Sequence, residues 1–270
     1  MKLKMKLMAA AVALAASAGA NAAISNSTLE QGNGELFFTI YDVGADLSSS
    51  ADDRAYVLDL GLQAGRMNDW ATSPGGTTAL PVISEPSSTI MVSADANLTS
   101  FLSASTDLSR LQWNVAAGDS YGHDRVLTTG MSISTAQTPI LTDFRKFATG
   151  GVDGYLPYPN NAGISDGGSI VLTGDGAGLS AWSNNFGGRA TFTNAAGVGD
   201  SLNFFLLSER ASSGYTTTLA NVQEYAGQWT LHTNGTLIYA AVPEPSEYAL
   251  MLAGLGLMGF MARRRKINHV

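Results

Sequence analysis

The sequence predicts a mainly β fold, an antiparallel sandwich-like domain with one or two short helices. A helix is expected at each end of the chain, one in an N-terminal leader and one crossing a membrane. Between residues 23 and 241, short apolar stretches alternate with clusters of Gly, Asn, Asp, Ser and Thr, which is typical of strands and turns. Many short strands without long helical repeats favour a sandwich.

The N-terminus has the three parts of a secretory signal peptide. Three lysines within the first six residues precede an apolar run from Leu7 to Ala16, and small residues follow. This order is typical of leaders that the Sec translocon exports and signal peptidase removes. We expect residues 1–22 to be the signal peptide, cut after Ala22, with a second small-residue site ending at Ala20.

The C-terminus carries an uncharged apolar run. Tyr248 to Ala262 is followed at once by Arg263, Arg264, Arg265 and Lys266. As a helix the run would span roughly 22 Å, less than the ~30 Å of a bilayer core, so its basic flank must snorkel to the interface. Basic residues concentrate on the cytoplasmic side. The run therefore predicts a transmembrane helix with its basic end inside.

A short proline motif, Pro243-Glu244-Pro245, stands before this helix. Its two prolines favour an extended segment that a peptidase can grip. The motif, the helix and the basic cluster, in that order, resemble the PEP-CTERM sorting signal of Gram-negative bacteria. The resemblance assigns residues 242–266 to this signal and implies an exosortase, an integral-membrane transpeptidase-like enzyme, that cuts near the motif. The chain departs from the usual pattern at Glu247 and in trailing Ile267 to Val270.

Ten stretches of residues 23–241, the segment expected to be exported, are candidate strands because they are short, apolar and bounded by turn residues. Several alternate apolar and polar residues, as half-buried strands do. The candidates are Glu35 to Val43, Ala55 to Leu60, Thr89 to Ser93, Arg110 to Val115, Arg125 to Ile133, Ser169 to Thr173, Arg189 to Thr193, Leu202 to Ser208, Gln228 to Thr233 and Thr236 to Ala240.

Two helices are predicted between these strands. One follows Thr138-Pro139, with proline at its first position and a stop at Gly150-Gly151; the other covers Asp95 to Ala104. The sequence leaves open whether the Gly-rich stretch from Gly150 to Gly188 is a long surface excursion or part of the sandwich.

Composition excludes several classes of function. The chain has no cysteine, which excludes disulfides, thiol catalysis and cysteine-ligated metals. Seven of its 15 basic residues lie in the two terminal segments, so 8 bases face 20 of the 22 acids between them. Nucleic acid is therefore not an expected partner, because binding it needs a basic surface. With three histidines and no calcium-loop spacing around Asp166-Gly167-Gly168, we expect no metal and no cofactor.

Two serine-containing motifs suggest an alternative, a secreted hydrolase. Gly199-Asp200-Ser201-Leu202 spells the signature of the GDSL esterases, but no Asp-x-x-His pair follows it, and a nucleophilic serine needs a base within reach. We interpret Gly197 to Asp200 as a turn leading into a strand. Ser120 lies with His123 and Asp124 in a Gly-rich loop, which we interpret as a solvated connection.

Aromatic residues of the Gly-rich region suggest a second alternative, a carbohydrate-binding protein. Trp182, Tyr155 and Tyr158 are candidate sugar contacts, although such rings more often pin a loop to the core. The favoured prediction is a non-enzymatic exported protein, anchored in the inner membrane as a precursor and then released to the cell surface or outside. Because the resembled family co-occurs with exopolysaccharide production, we expect an association with exopolysaccharide and biofilm.

Overall fold

A single antiparallel sheet dominates the computed structural model, which describes residues 24, 34–42, 52–63, 89–119, 124–174, 190–209, 217–241, 253–255 and 257–258. Its strands are β1 (Glu35–Asp42), β2 (Arg54–Gln63), β3 (Ile90–Val92), β4 (Gln112–Asp119), β5 (Arg125–Gly130), β6 (Ser169–Thr173), β7 (Ala196–Gly197), β8 (Ser201–Ser208), β9 (Asn221–Leu231) and β10 (Leu237–Ala241). Within the described residues the strand order is β3-β10-β9-β8-β5-β4-β1-β2-β6, and β7 pairs with β4.

The prediction of a mainly antiparallel β fold with few helices is confirmed, but the sandwich is wrong for the described residues. They form one curled sheet, shaped like half a barrel, instead of two packed sheets. The candidate strand at 189–193 is also wrong for its described residues, 190–193, which are irregular. The edge of β4 beside this stretch is occupied by β7, since Trp113 pairs with Ala196.

Each face of the sheet carries its own buried cluster. In β1, Phe38 and Ile40 point to one face, which we call the inner face, while Phe37 and Tyr41 point to the opposite, outer face. Burial on both faces explains why β1 reads as a nearly continuous apolar run instead of an alternating one. Inner-face residues form one core, which we call the inner core, with members from β1, β2, β4, β5, β8, β9 and β10.

Helix α1 (Ala96–Ala104) packs on the inner core, and its prediction is confirmed. Asp95 caps it: Oδ1 accepts a hydrogen bond from the Leu98 N–H at 2.7 Å, and Oδ2 accepts one from the Tyr56 hydroxyl at 3.0 Å. Leu98 and Phe101 are the buried residues of the helix. The cap therefore fixes both the start of α1 and its position against β2.

Short helices cover the outer face of the sheet. They are α2 (Leu141–Phe147), a π-helix (Ala148–Val152), α3 (Asp153–Tyr155) and α4 (Pro157–Asn161). Two 3-10 helices, Leu108–Arg110 and Thr135–Gln137, lie in connections. Apolar residues of α2, the π-helix and α3 join Phe37 and Leu207 in the second cluster, the outer core.

The predicted boundaries of the helix after Thr138-Pro139, which is observed as α2, are wrong at both ends. It begins after Pro139, because the Pro139 carbonyl accepts a hydrogen bond from Ala220 and Ile140 forms a bridge with Leu219. It also continues through Gly150-Gly151 as the π-helix. A side chain at Gly118 would place its Cβ 2.6 Å from Asp153 Oδ1 and 2.9 Å from Val152 Cγ1. Gly118 thus allows the helical layer to lie directly on β4.

Candidate functional site

The described sheet leads directly to the predicted sorting tail. Its last strand, β10, is held on both sides, because Ala241 pairs with Gly227 of β9 and Leu237 pairs with Val92 of β3. Pro243 follows Ala241 by two residues in the sequence. A cut near this proline therefore falls within a few residues of the last described strand.

Several predicted site residues lie outside the described residues. They are Ala20 and Ala22 of the leader, Pro243, Glu244 and Pro245 of the motif, Arg263, Arg264, Arg265 and Lys266 of the basic cluster, Trp182, Ser120 and His123.

The apolar run after the motif is helical where it is described, at residues 253–255 and 257–258. Leu255, Leu257 and Met258 are more than half exposed there. Within the described ranges, no helix combines the length and the apolar character needed to cross a membrane.

Ser201, the serine of the GDSL-like motif, lies at the exposed start of β8. Its hydroxyl hydrogen-bonds with the Thr230 hydroxyl across the strand pair, at 2.7 Å between the oxygens. His232 lies just past β9, and its backbone N–H donates to Thr236. The turn predicted before Ser201 is confirmed, with Gly199 at φ +102. The hydrogen-bond partner of the Ser201 hydroxyl is therefore a neutral hydroxyl.

The two described aromatic candidates for sugar contact differ in exposure. Tyr155 is fully buried and its ring stacks on Phe37, with 6.2 Å between centroids. The expectation that Tyr155 contacts a sugar is therefore wrong, because α3 turns this ring into the outer core. Burial also raises the pKa of the Tyr155 hydroxyl. Tyr158 is 38% exposed beside Tyr155 and stays accessible.

A cluster of three carboxylates lies where β1, β2 and the turn before β6 meet. One oxygen from each of Glu35, Asp59 and Asp166 falls within 4.8 Å of the other two. Asp59 is fully buried, and its two oxygens accept hydrogen bonds from the Gly61 and Gly167 amides, both at 2.9 Å. Of the described side chains, these three could hold a cation, since hard cations prefer carboxylate oxygens.

One member of the cluster, Asp59, has a raised pKa. Burial of Asp59 is the largest cause, the two amide hydrogen bonds oppose it, and the negative charge of Asp166 adds to it. The carboxylate form of Asp59 is thus less favourable in the folded than in the unfolded chain. Linkage then requires folding stability to decrease as Asp59 ionises.

We expect Asp59→Asn to remove a pH dependence of stability. In the wild type, the free energy of unfolding should fall as pH rises from the ordinary Asp pKa, 3.8, to the raised one. The variant should lack that fall, so its stability relative to the wild type should increase over this interval. Urea unfolding at a series of pH values measures the difference.

Asp107→Asn is the matched control, with the opposite sign. Hydrogen bonds from Ser109 lower the pKa of Asp107, which caps an exposed 3-10 helix. Its ionised form stabilises the fold above the ordinary pKa, and this contribution is lost as pH falls through the lowered value. A parallel pH response of the two variants would contradict both assignments.

A shallow groove of about 370 Å³ lies beside β4 and the 3-10 helix at Thr135–Gln137. Its polar side chains are those of Gln112, Gln137, Thr191, Thr193 and Asn194. The described residues that line it include no charged side chain. The groove therefore offers hydrogen bonds but no acid or base.

Sequence reasoning missed the carboxylate cluster because strand pairing creates it. The sequence around Asp166 lacks calcium-loop spacing, and Glu35 and Asp59 are 24 positions apart. One local signal was present: Asp59 interrupts the apolar sequence of β2, at a position whose preceding neighbour on the same face, Val57, is buried. A buried acid in such a strand indicates a polar partner.

The described strands define a mainly β domain, and the predicted sorting tail follows its last strand in the sequence. Residues 241–266 match the family model of the PEP-CTERM protein-sorting motif. The chain therefore carries this motif where the sequence predicted it, which indicates an exported protein, anchored as a precursor and processed by an exosortase. Searches of curated proteins and of solved structures found no match to the chain.

Proposed function

We propose that this chain is a non-enzymatic structural protein of the cell surface or extracellular matrix. Its precursor is held in the inner membrane by the helix after the motif, cut near Pro243 to Pro245, and released as a cysteine-free β domain. The observation that carries the proposal is the position of the sorting motif. The motif match begins at residue 241, where β10 ends. Removal of the tail would therefore take at most this one residue from the described sheet.

Two features support a structural role. The exposed Ser201 is paired with a threonine hydroxyl, which does not activate a nucleophile as a histidine does. The polar groove beside β4 has no charged lining among its described residues. A matrix role fits the excess of acids in the exported segment, because net charge keeps a secreted domain soluble. The association with exopolysaccharide rests on the family resemblance alone.

We expect deletion of Pro243 to Pro245 to abolish processing in a host that has the matching exosortase. The precursor should remain in the membrane fraction with its basic tail attached, because the enzyme loses the segment it grips. Cell fractionation, with the intact mass of the protein in each fraction, measures the outcome.

Deletion of Ile267 to His269 is the matched control, since it removes three residues of the same tail outside the motif. Processing of this control should match that of the wild type. Release of the Pro243–Pro245 deletion in wild-type amounts would refute the proposal.

A serine-directed phosphonate probe tests whether the protein is non-enzymatic. We expect no covalent labelling of the purified domain, and Ser201→Ala should give the same background as the wild type. Labelling that disappears in Ser201→Ala would instead establish a hydrolase, because a phosphonate captures only an activated serine.

A further inference from the structure

A single side chain holds the backbone of Ile24, far from it in sequence. The Ile24 N–H donates to Asn160 Oδ1 at 2.9 Å, and Asn160 Nδ2 donates to the Ile24 carbonyl at 3.1 Å. An amide side chain carries one acceptor and one donor group. Asn160 thus satisfies both polar groups of one residue, as a neighbouring strand would.

The side chain of Ile24 is held as well as its backbone. Ile24 is fully buried and belongs to the outer core, together with Tyr155, Leu156 and Ile164. Helix α4 positions Asn160, whose own N–H donates to the Leu156 carbonyl at 3.1 Å. The apolar side chain and the paired backbone make this an ordered contact of the fold.

The position of Ile24 in the sequence places this contact at the expected N-terminus of the mature chain. Ile24 is the second residue after the predicted leader junction at Ala22. We propose that Asn160 and the apolar residues around it form a binding site for the N-terminal segment of the mature chain. Occupation of the site fixes the new N-terminus beside α4. Only the identity of that terminus depends on the proposed export.

The site should protect the N-terminus from exopeptidases. An aminopeptidase must bind the terminal residue and its peptide bond in its own active site. When trimming reaches Ile24, the backbone of this residue is already bonded to Asn160 and its side chain is buried. Trimming can then continue only when the segment leaves the site, so its rate reports local opening.

Aminopeptidase digestion of the purified protein, followed by intact mass, tests the site. In the wild type we expect the mass to stop decreasing with Ile24 retained. Asn160→Ala should be trimmed past Ile24 faster by about tenfold or more, because both hydrogen bonds are lost. The neighbouring Asn161→Ala should behave like the wild type, since Asn161 is exposed.

A second variant separates local release from global unfolding. Leu231→Ala removes a fully buried side chain of the inner core, so it should lower the Tm and leave the arrest at Ile24 unchanged under conditions where the fold persists. If Leu231→Ala accelerates trimming as much as Asn160→Ala, or if the wild type is trimmed past Ile24 without arrest, the site does not exist. The intact mass before digestion reports leader removal independently, because trimming reaches Ile24 whether the leader is cut after Ala20 or after Ala22.

Discussion

Trp113→Ala is expected to lower the free energy of unfolding by about 4 kcal/mol, the range for a buried aromatic truncated to alanine. Trp113 is fully buried in β4 and packs edge-to-face on Phe38, with 6.1 Å between ring centroids. Its strand pairs with β1 on one side and β7 on the other. The cavity would therefore open in the middle of the inner core, where paired strands limit collapse.

The hydrogen bond of Trp113 adds a separate contribution. Its indole Nε1 donates to the Gly197 carbonyl at 2.8 Å. Trp113→Phe should therefore lower the free energy of unfolding by about 1 kcal/mol more than the loss of ring area alone would. The Gly197 carbonyl keeps the Asp200 amide as a donor at 3.2 Å, which limits the effect.

Trp229→Phe is the matched control for that comparison. Trp229 is equally buried, between Tyr239 and Phe204, but its Nε1 has no hydrogen-bond partner among the described residues. Replacing it with phenylalanine removes an unsatisfied donor and should cost less than Trp113→Phe. Urea unfolding followed by circular dichroism measures all three variants; equal losses for the two phenylalanine variants would contradict the assigned role of the hydrogen bond.

Gly227→Ala is expected to cost about 3 kcal/mol, as a severe case of overpacking. A Cβ at Gly227 would lie 2.2 Å from Tyr239 Cζ and 2.3 Å from its hydroxyl oxygen. The tyrosine ring cannot move aside easily, since it is fully buried and lies 5.2 Å from the Trp229 ring centroid. Glycine is thus required here for space, on the inner face of β9.

A double-mutant cycle with Tyr239→Leu tests this cause. The penalty of Gly227→Ala should shrink substantially when the ring is absent, because the two changes act on one contact. Ala226→Val, on the exposed side of the same strand, should stay within about 0.5 kcal/mol of the wild type. Additive losses of stability in the cycle would show that the requirement for glycine at position 227 comes from backbone effects and not from the tyrosine ring.

Strands that carry their own pattern were predictable from sequence. β6 was predicted at its observed bounds, Ser169 to Thr173, and β8 within one residue. The first half of β9 was missed, since Asn221, Gln223 and Glu224 interrupt its apolar residues, and it pairs with β8 because of its position in the sheet. Gly150 and Gly151 indicate a helix stop in the sequence, because the packing of Val152 and Asp153 against Gly118 is invisible in a linear pattern.

The same distinction applies to the candidate sites. The sorting motif was predictable because a processing enzyme reads it as a linear segment, and the family match begins within one residue of the predicted boundary. The carboxylate cluster and the pairing of Ile24 with Asn160 were not, since each joins side chains from distant parts of the chain. Predicting such sites requires the register of β1 and β2 and the path of the helical layer.

The pairing of β3 with β10 has a consequence for how the chain reaches its folded form. β1 and β2 are neighbours in both sequence and sheet, so they can join as soon as both have been synthesised. β3 pairs with β10, which lies at the far end of the domain. In a chain that is synthesised from its N-terminus, β3 cannot pair with β10 until nearly all of the domain has been synthesised. That interval is when an unfolded precursor is most open to chaperones, and to aggregation.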